Sequence, residues 1–149
     1  MRKRESVSAA MGAAPEVVFG LVTDVSRLPE WNKAITKVVE APEHLDSGSV
    51  WKVGIHALGQ SWVSKSRVSA LDPSAGRFAY RSQSDDGNPS YADWVWHVEP
   101  HESGSMVTLT VDLNPITFWR KHLLVRIRRP SLRKEMQESL AALAAAVGG

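Results

Sequence analysis

Between Ile35 and Leu113 the chain alternates, in one segment after another, between polar residues and residues that are apolar or small. The alternation is plainest from Val107 onward, where every second residue is apolar and the residues between are threonine or aspartate. This pattern is typical of a strand with one buried face. Together with a weaker segment near the N-terminus, the predicted strands are Glu5–Met11, Ile35–Ala41, Val50–Leu58, Ser61–Leu71, Arg77–Ser84, Tyr91–Glu99 and Met106–Leu113. Seven strands with short connections predict an antiparallel meander.

Two regions outside these segments have helical periodicity instead. From Val17 to Ile35 the apolar residues recur at helical spacing in two short pieces that meet at Asp24, which predicts a helical corner after the first strand. In the C-terminal third, two apolar stripes follow one another, namely Ile116, Trp119, Leu123 and Ile127, then Leu132, Met136, Leu140 and Leu143. The stripes slip out of phase around Pro130, so we expect a long C-terminal helix with a kink or break there.

The inward faces of the strands indicate a hollow interior. They mix large rings with serine and alanine, whereas a close-packed core favours leucine, isoleucine and valine. By alternation, the inward residues that we expect to bind a ligand are Trp62, Ser64, Ser66, Phe78, Tyr80, Trp94 and Trp96. A solid core built around the tryptophans is the alternative, and the pattern leaves both open.

Composition limits the class of protein. A chain of 149 residues, 43% hydrophobic and 23% charged, suits one folded domain, which we place at residues 1–149. The chain has no cysteine, which excludes disulfides and thiolate metal sites and fits the cytoplasm. No run approaches the roughly 20 apolar residues of a membrane span, and the basic start Met1–Arg4 lacks the apolar stretch of an export signal. We therefore expect a soluble cytoplasmic protein.

The order strand, two short helices, six strands and long helix resembles the START-like superfamily, in particular its polyketide cyclase/dehydrase and lipid-transport branch. The stretches that carry the resemblance are APEVVFGLVTDVSRLPEWNKAI at Ala14–Ile35, LDPSAGRFAYR at Leu71–Arg81 and WHVEPHESGSMVTLTV at Trp96–Val111. The resemblance implies an α+β helix-grip fold, in which a curved seven-stranded antiparallel sheet surrounds a long C-terminal helix and leaves an apolar cavity between them. In that fold the helical corner closes one end of the sheet, with Trp31 at or near the cavity rim. We expect the helix to cover the cavity, so the expected ligand-binding residues also include Trp31, Trp119, Leu123 and Ile127.

The sequence offers little catalytic chemistry. The five histidines are scattered without ligand spacing, and no phosphate-binding glycine loop or serine nucleophile elbow occurs, so we expect no metal and no cofactor. Tyr80 is the candidate catalytic residue, as a general acid in an enolisation or as a hydrogen-bond donor to a ligand carbonyl. A buried hydroxyl bonded to the backbone is the alternative. His56 and His97 fall on the outward faces, although a register error of one residue would reverse this.

Relatives of this fold with aromatase/cyclase activity commonly place arginine, with histidine or tyrosine, in the pocket. Here Arg67, Arg77 and Arg81 are predicted to point outward, which disfavours catalysis and leaves binding intact. The first hypothesis is therefore a carrier or sensor that binds a hydrophobic small molecule such as a lipid, isoprenoid or polyketide-like compound. The alternative is a polyketide cyclase/dehydrase that acts on a poly-β-keto chain with Tyr80 as its acid. A protein-interaction role with a vestigial cavity is a third hypothesis.

The basic residues are concentrated in the acid-free stretch from Leu113 to Lys134, which holds seven of the 18 lysines and arginines. A net charge of +2 is too small to argue for nucleic acid, and we expect no such partner. The residues mostly opposite the first apolar stripe of the helix are Arg120, Lys121, Arg128 and Arg129. They form either a solvated helix face or a transient docking face for an anionic membrane. We expect a monomer or a homodimer.

Overall fold

The computed structural model describes residues 3–32, 34–57, 59–85, 89–114 and 125–148, and at residues 3, 57, 60 and 125–131 it describes the backbone alone. The strands are β1 (Lys3–Met11), β2 (Ile35–Glu40), β3 (Val50–Ala57), β4 (Gln60–Asp72), β5 (Arg77–Ser84), β6 (Tyr91–His101) and β7 (Gly104–Asn114). The helices are α1 (Pro15–Val22), a short 3-10 helix (Val25–Glu30) and α2 (Val125–Ala146). Each predicted strand is present, with ends within two residues of the predicted ones.

All seven strands form one antiparallel sheet in the order β1-β7-β6-β5-β4-β3-β2. Strands β2 to β7 are neighbours in chain order because the connections between them are short, which is the predicted meander. β1 and β2 lie at opposite edges of the sheet, so the chain must cross from one edge to the other between Met11 and Ile35. The helical corner makes this crossing. The predicted α+β helix-grip fold is confirmed.

Alternation separates the sheet into an outer polar face and an inner apolar face. In β7 the side chains of Ser105, Val107, Leu109 and Val111 are buried on the inner face. On the outer face, the hydroxyl groups of Ser6 and Ser8 in β1 lie 3.1 and 3.0 Å from those of Thr110 and Thr108 in β7. The register therefore agrees with the pattern from which the strands were predicted.

Helix α2 covers part of the inner face and packs mainly on β1 and β7. The predicted second stripe is confirmed, since Leu132, Met136, Leu140 and Leu143 are all buried. The helix continues without interruption through Pro130, so the predicted break is wrong, and a kink there stays a prediction. The first predicted stripe falls outside the description, because Ile116, Trp119 and Leu123 are not among the described residues and the side chain of Ile127 is not described.

The helical corner has the predicted two pieces, and it is more deeply buried than the sequence suggests. Pro15 begins α1, a position at which the helix needs no backbone N–H for its hydrogen bonds. The helix ends at Thr23, whose hydroxyl donates a hydrogen bond to the carbonyl of Phe19 at 2.8 Å. The 3-10 helix that follows Asp24 brings Leu28 and Trp31 under the sheet, and Trp31 is only 1% exposed.

Candidate ligand-binding cavity

A cavity of about 260 Å³ lies between the inner face of the sheet and α2. Strands β3 to β7 form its main wall. Helix α2 contributes Leu132, Glu135, Met136 and Ser139 from the opposite side, and Leu28 and Asn32 close it from the helical corner. The structure thus contains open space at the place where the sequence predicts a ligand cavity.

The apolar part of the wall consists largely of aromatic rings that hold one another in place. On the inner faces of β3 to β6 these are Trp51, Trp62, Tyr80, Trp94 and Trp96. Tyr80 lies at their centre, with its ring centroid 4.8 Å from that of Trp51 in an edge-on arrangement. It lies 6.3 Å from the Trp94 centroid, with the two ring planes 19° apart. Contacts of this geometry are favourable in themselves and fix the orientation of the rings.

Hydroxyl groups interrupt the aromatic wall, and two of them accept hydrogen bonds from indole rings. The Nε1–H of Trp96 donates to Oη of Tyr80 at 3.3 Å. The Nε1–H of Trp94 donates to Oγ of Ser82 at 2.8 Å. Both indole donors are therefore satisfied inside the protein, while the hydroxyl protons are left for another acceptor.

Burial changes the acidity of Tyr80. Removal from water disfavours the charged phenolate and raises the pKa of Tyr80 to about 12, although the hydrogen bond from Trp96 acts in the opposite direction. Tyr80 keeps some accessible surface and lines the cavity. At neutral pH Tyr80 is accordingly a neutral hydrogen-bond donor.

The cavity wall carries little charge. Among the described lining residues Glu135 is the one carboxylic acid, and none is lysine, arginine or histidine. Glu135 already has an interaction partner of its own. A wall of this composition suits a neutral molecule better than an anion, because a buried anion needs a cationic partner.

The arginine and histidine side chains that the sequence places on the outward faces of the strands lie outside the cavity lining, as predicted. Arg67, Arg77 and Arg81 are exposed, and Arg81 binds both carboxylate oxygens of Asp93 at 2.7 and 3.0 Å. Nδ1 of His56 lies 2.9 Å from Oγ of Ser61, and neither His56 nor His97 belongs to the cavity lining.

The structure brings most of the predicted ligand-binding residues together. Those that line the cavity are Trp62, Ser64, Ser66, Tyr80, Trp94 and Trp96. The other candidates from the C-terminal helix, Trp119, Leu123 and Ile127, lie outside the described residues or side chains. Whether the lining residues bind a ligand stays a prediction.

Trp31 and Phe78 do not reach the cavity surface. Trp31 packs edge-on against Trp96 at 5.4 Å between ring centroids, and Phe78 stacks on Trp51 at 5.9 Å. Each is only 1% exposed, so both lie behind the residues that form the wall. Among the described residues, Nε1 of Trp31 is buried without a hydrogen-bond partner. Alternation predicts the face of Phe78 and not its depth, and the resemblance places the helical corner, with Trp31, at the cavity rim without giving the depth of its side chains.

Sequence reasoning missed several lining residues. Trp51, Val53 and Ile55 alternate in β3 and line the cavity, and this alternation is readable from the sequence. Glu135 and Ser139 border the buried stripe of α2 with a spacing of four residues, which places both on one face of the helix. The prediction omitted Glu135 and Ser139 because it used only the apolar residues of the helix, and both of these residues are polar.

A seven-stranded antiparallel sheet, a long C-terminal helix and a cavity between them define the helix-grip class of proteins. The family model described as "Polyketide cyclase / dehydrase and lipid transport" matches residues 4–148. The chain therefore belongs to this family, and the resemblance noted in its sequence is confirmed. Comparison with curated protein sequences gives no significant match.

Solved structures agree with the family assignment in fold. The Zhui aromatase/cyclase from Streptomyces sp. R1128 superposes with a TM-score of 0.83 at 16% identity, over 99% of this chain and 94% of that chain. Major latex-like protein 151 from Panax ginseng gives 0.78 at 15% identity, over 100% and 99% of the two chains. Protein CV1439 from Chromobacterium violaceum gives 0.74 at 23% identity, over 98% and 97%. Identities this low establish the fold alone.

Two further predictions concern membranes and metals. In the part of the chain that the structure describes, no helix is long and apolar enough to cross a membrane. Arg120 and Lys121 are not among the described residues, and the side chains of Arg128 and Arg129 are not described, so the predicted docking face stays a prediction. Within the described ranges, no three histidine or acidic residues are grouped closely enough to hold a metal ion.

Proposed function

We propose that this protein is a carrier or sensor that encloses one neutral, largely apolar small molecule in the cavity between the sheet and α2. The observation that supports the proposal most directly is the composition of the wall, in which aromatic rings surround a few hydroxyl groups and the described lining has no cationic side chain. Sites that bind small molecules are mostly apolar, with a small number of polar groups that set orientation.

The driving force for binding would be burial of apolar surface. Each 100 Å² of apolar ligand surface removed from water contributes about 2.5 kcal/mol. A volume of about 260 Å³ is near the lower end for small-molecule sites, so the ligand should be compact. A lipid fragment, an isoprenoid or a small polyketide-like compound fits this description.

A polyketide cyclase/dehydrase is the second candidate, and family membership is the observation that favours it. In that role Tyr80 would donate its proton to a developing enolate. A general acid works best when its pKa lies near the operating pH, and burial holds the pKa of Tyr80 at about 12. Its hydroxyl is therefore better suited to hydrogen bonding than to proton transfer, and we favour binding over catalysis.

Native mass spectrometry of freshly purified protein tests the proposal. We expect a population of protein with one extra small mass, which dissociates under mild collisional activation because the contacts are non-covalent. Protein extracted with organic solvent and refolded is the control, and it should regain a bound mass when incubated with a lipid extract of the host. Protein that carries no small molecule before or after this incubation would contradict the carrier role.

A further inference from the structure

Four hydroxyl groups lie side by side on two neighbouring strands of the cavity wall, Ser64 and Ser66 in β4 and Tyr80 and Ser82 in β5. We call these four residues the hydroxyl patch. The register places Ser66 directly opposite Ser82, and Tyr80 is one inward position farther along β5. Residues directly opposite on antiparallel strands have Cβ atoms about 5 Å apart, and successive inward residues of one strand are about 7 Å apart. One small molecule can therefore contact several of these hydroxyl groups at once.

Two hydroxyl groups of the patch are oriented by the same repeated contact. Trp94 lies directly opposite Tyr80 and donates diagonally to Ser82, and Trp96 donates in the same diagonal direction to Tyr80. Each hydroxyl thus accepts one N–H and retains its own proton. Among the described residues nothing accepts either proton. The indole rings leave both hydroxyl groups as hydrogen-bond donors toward the cavity.

The other two hydroxyl groups have no partner within the described protein. Ser64 and Ser66 are 8% and 3% exposed, and both line the cavity. Among the described residues, Nε1 of Trp31 is the one side-chain polar atom that is fully buried and has no hydrogen-bond partner. The unpartnered oxygen atoms of Ser64 and Ser66 are therefore not fully buried. A polar group in this position needs a water molecule or a ligand, because leaving it unpaired costs free energy.

We propose that the hydroxyl patch determines ligand specificity and selects a compact apolar molecule with a neutral carbonyl oxygen. The proposal rests on the ligand-binding function proposed above. A carbonyl oxygen has two lone pairs and no proton, so it complements donors that the indole rings have already oriented. A hydrocarbon of the same shape would displace water from the patch and leave its hydroxyl groups unpaired. A carboxylate would be buried beside a described lining that has no cationic side chain.

Three probes with one tricyclic skeleton separate these cases, namely 9-fluorenone, fluorene and fluorene-9-carboxylate. Equilibrium dialysis of the whole chain gives the affinity of each probe. We expect wild type to bind 9-fluorenone about three- to tenfold more tightly than fluorene, as one or two neutral hydrogen bonds allow. Fluorene-9-carboxylate should bind at least about tenfold more weakly than 9-fluorenone.

The variants Ser66→Ala and Ser82→Ala connect this preference to the patch. No described group is hydrogen-bonded to the Ser66 hydroxyl, so Ser66→Ala leaves none of them without its partner. Cooperative thermal unfolding of both variants checks that each one folds. In both variants the ratio of 9-fluorenone to fluorene affinity should fall toward one, because 9-fluorenone loses a donor and fluorene no longer leaves that hydroxyl unpaired. Ser69→Ala is the control. It removes an exposed hydroxyl from β4, the strand of Ser66, outside the cavity lining, and it should leave the ratio unchanged.

Each contrary outcome overturns a defined part of the argument. Equal binding of 9-fluorenone and fluorene by wild type, or a ratio that both variants retain, overturns the specificity role and leaves the ligand-binding function in place. Tightest binding of fluorene-9-carboxylate also overturns it. If none of the three probes binds, the specificity proposal fails, and the native mass spectrometry experiment decides separately whether the proposed function fails with it.

Discussion

Tyr80 combines the features that make the cavity wall both apolar and able to form hydrogen bonds. Its ring contacts those of Trp51, Phe78 and Trp94, and its hydroxyl oxygen accepts a hydrogen bond from the indole N–H of Trp96. A phenol can take part in both kinds of contact, because its body is apolar and its tip is polar. Tyr80 therefore couples the packing of the sheet to the hydrogen-bonding capacity of the cavity wall.

The acidity of Tyr80 provides a test of its burial. Its pKa is raised from 10.0 to about 12, so the folded state favours the protonated form. The contribution is fully present below pH 10 and is lost as the pH rises through 12, with a total of about 3 kcal/mol. We expect the difference in unfolding free energy between wild type and Tyr80→Phe to be constant from pH 7 to 9 and to shrink above pH 10.

Tyrosinate absorbance during an alkaline titration checks the same point without unfolding the protein. The chain has two tyrosines, and the transition that Tyr80→Phe abolishes should be centred near pH 12. A Tyr80 transition near pH 10 would contradict the buried position of its hydroxyl.

At the residue scale the sequence predicted which side of the sheet a residue faces, and it failed to predict how deep the residue lies. Tyr80 and Phe78 share the inward face of β5, yet only Tyr80 lines the cavity. The difference arises from long-range contacts, since Phe78 is covered by Trp51 from β3. Such contacts depend on strand register and sheet shape, which alternation in one strand does not contain.

At the scale of elements, the turn between β4 and β5 shows how closely one connection is fitted to the sheet. Gly76 has φ of +65°, and its carbonyl accepts a hydrogen bond from the N–H of Val98 in β6 at 2.8 Å. A Cβ atom at Gly76 would lie 1.9 Å from the carbonyl oxygen of Val98. Glycine is therefore required here both for its backbone conformation and for the space that it leaves.

We expect Gly76→Ala to lower the free energy of unfolding by about 2 to 5 kcal/mol, from backbone strain and the clash together. Gly48→Ala is the matched control, because Gly48 has φ of +88° and nothing within 4 Å of an added Cβ. The control should lose only the strain contribution of about 1 to 2 kcal/mol. Urea unfolding measures both values. Equal losses of unfolding free energy in the two variants would contradict this account, because the clash with Val98 would then contribute nothing.

The sequence predicted the elements well where one periodicity dominated. Alternation from Arg77 to Ser84 and from Val107 to Leu113 is nearly uninterrupted, and the bounds of β5 are those predicted. The helix through Pro130 was harder to predict. Proline lacks the N–H of an interior helical residue, so a break was a reasonable expectation, yet α2 begins at Val125 and continues past it. Tertiary packing of the second stripe overrides this local cost.

At the scale of the whole molecule, the fold leaves a cavity because its two layers meet mainly on one side. Helix α2 packs on β1 and β7, and most of the cavity wall on the sheet belongs to β3 to β6. Serine and alanine on the inward faces predicted a hollow interior, since they are too small to fill the space between the layers. The volume of the cavity, and the presence of Glu135 in its wall, depend on how the helix is placed against the sheet. The pattern of a single segment of sequence does not contain this placement.

The most direct test of a ligand-binding interior is to fill the cavity with a side chain. Ala92 lies on the cavity wall opposite Ser82, and Ala141 is exposed on α2, so Ala92→Phe and Ala141→Phe add the same atoms inside and outside. Titration with the neutral dye 1-aminoanthracene, followed by quenching of tryptophan fluorescence, measures binding in both variants. We predict saturable binding of one dye per chain by wild type and Ala141→Phe, and at least about tenfold weaker binding by Ala92→Phe while its thermal unfolding stays cooperative. Undiminished binding by folded Ala92→Phe, or no saturable binding by wild type, would contradict a ligand site between the sheet and α2.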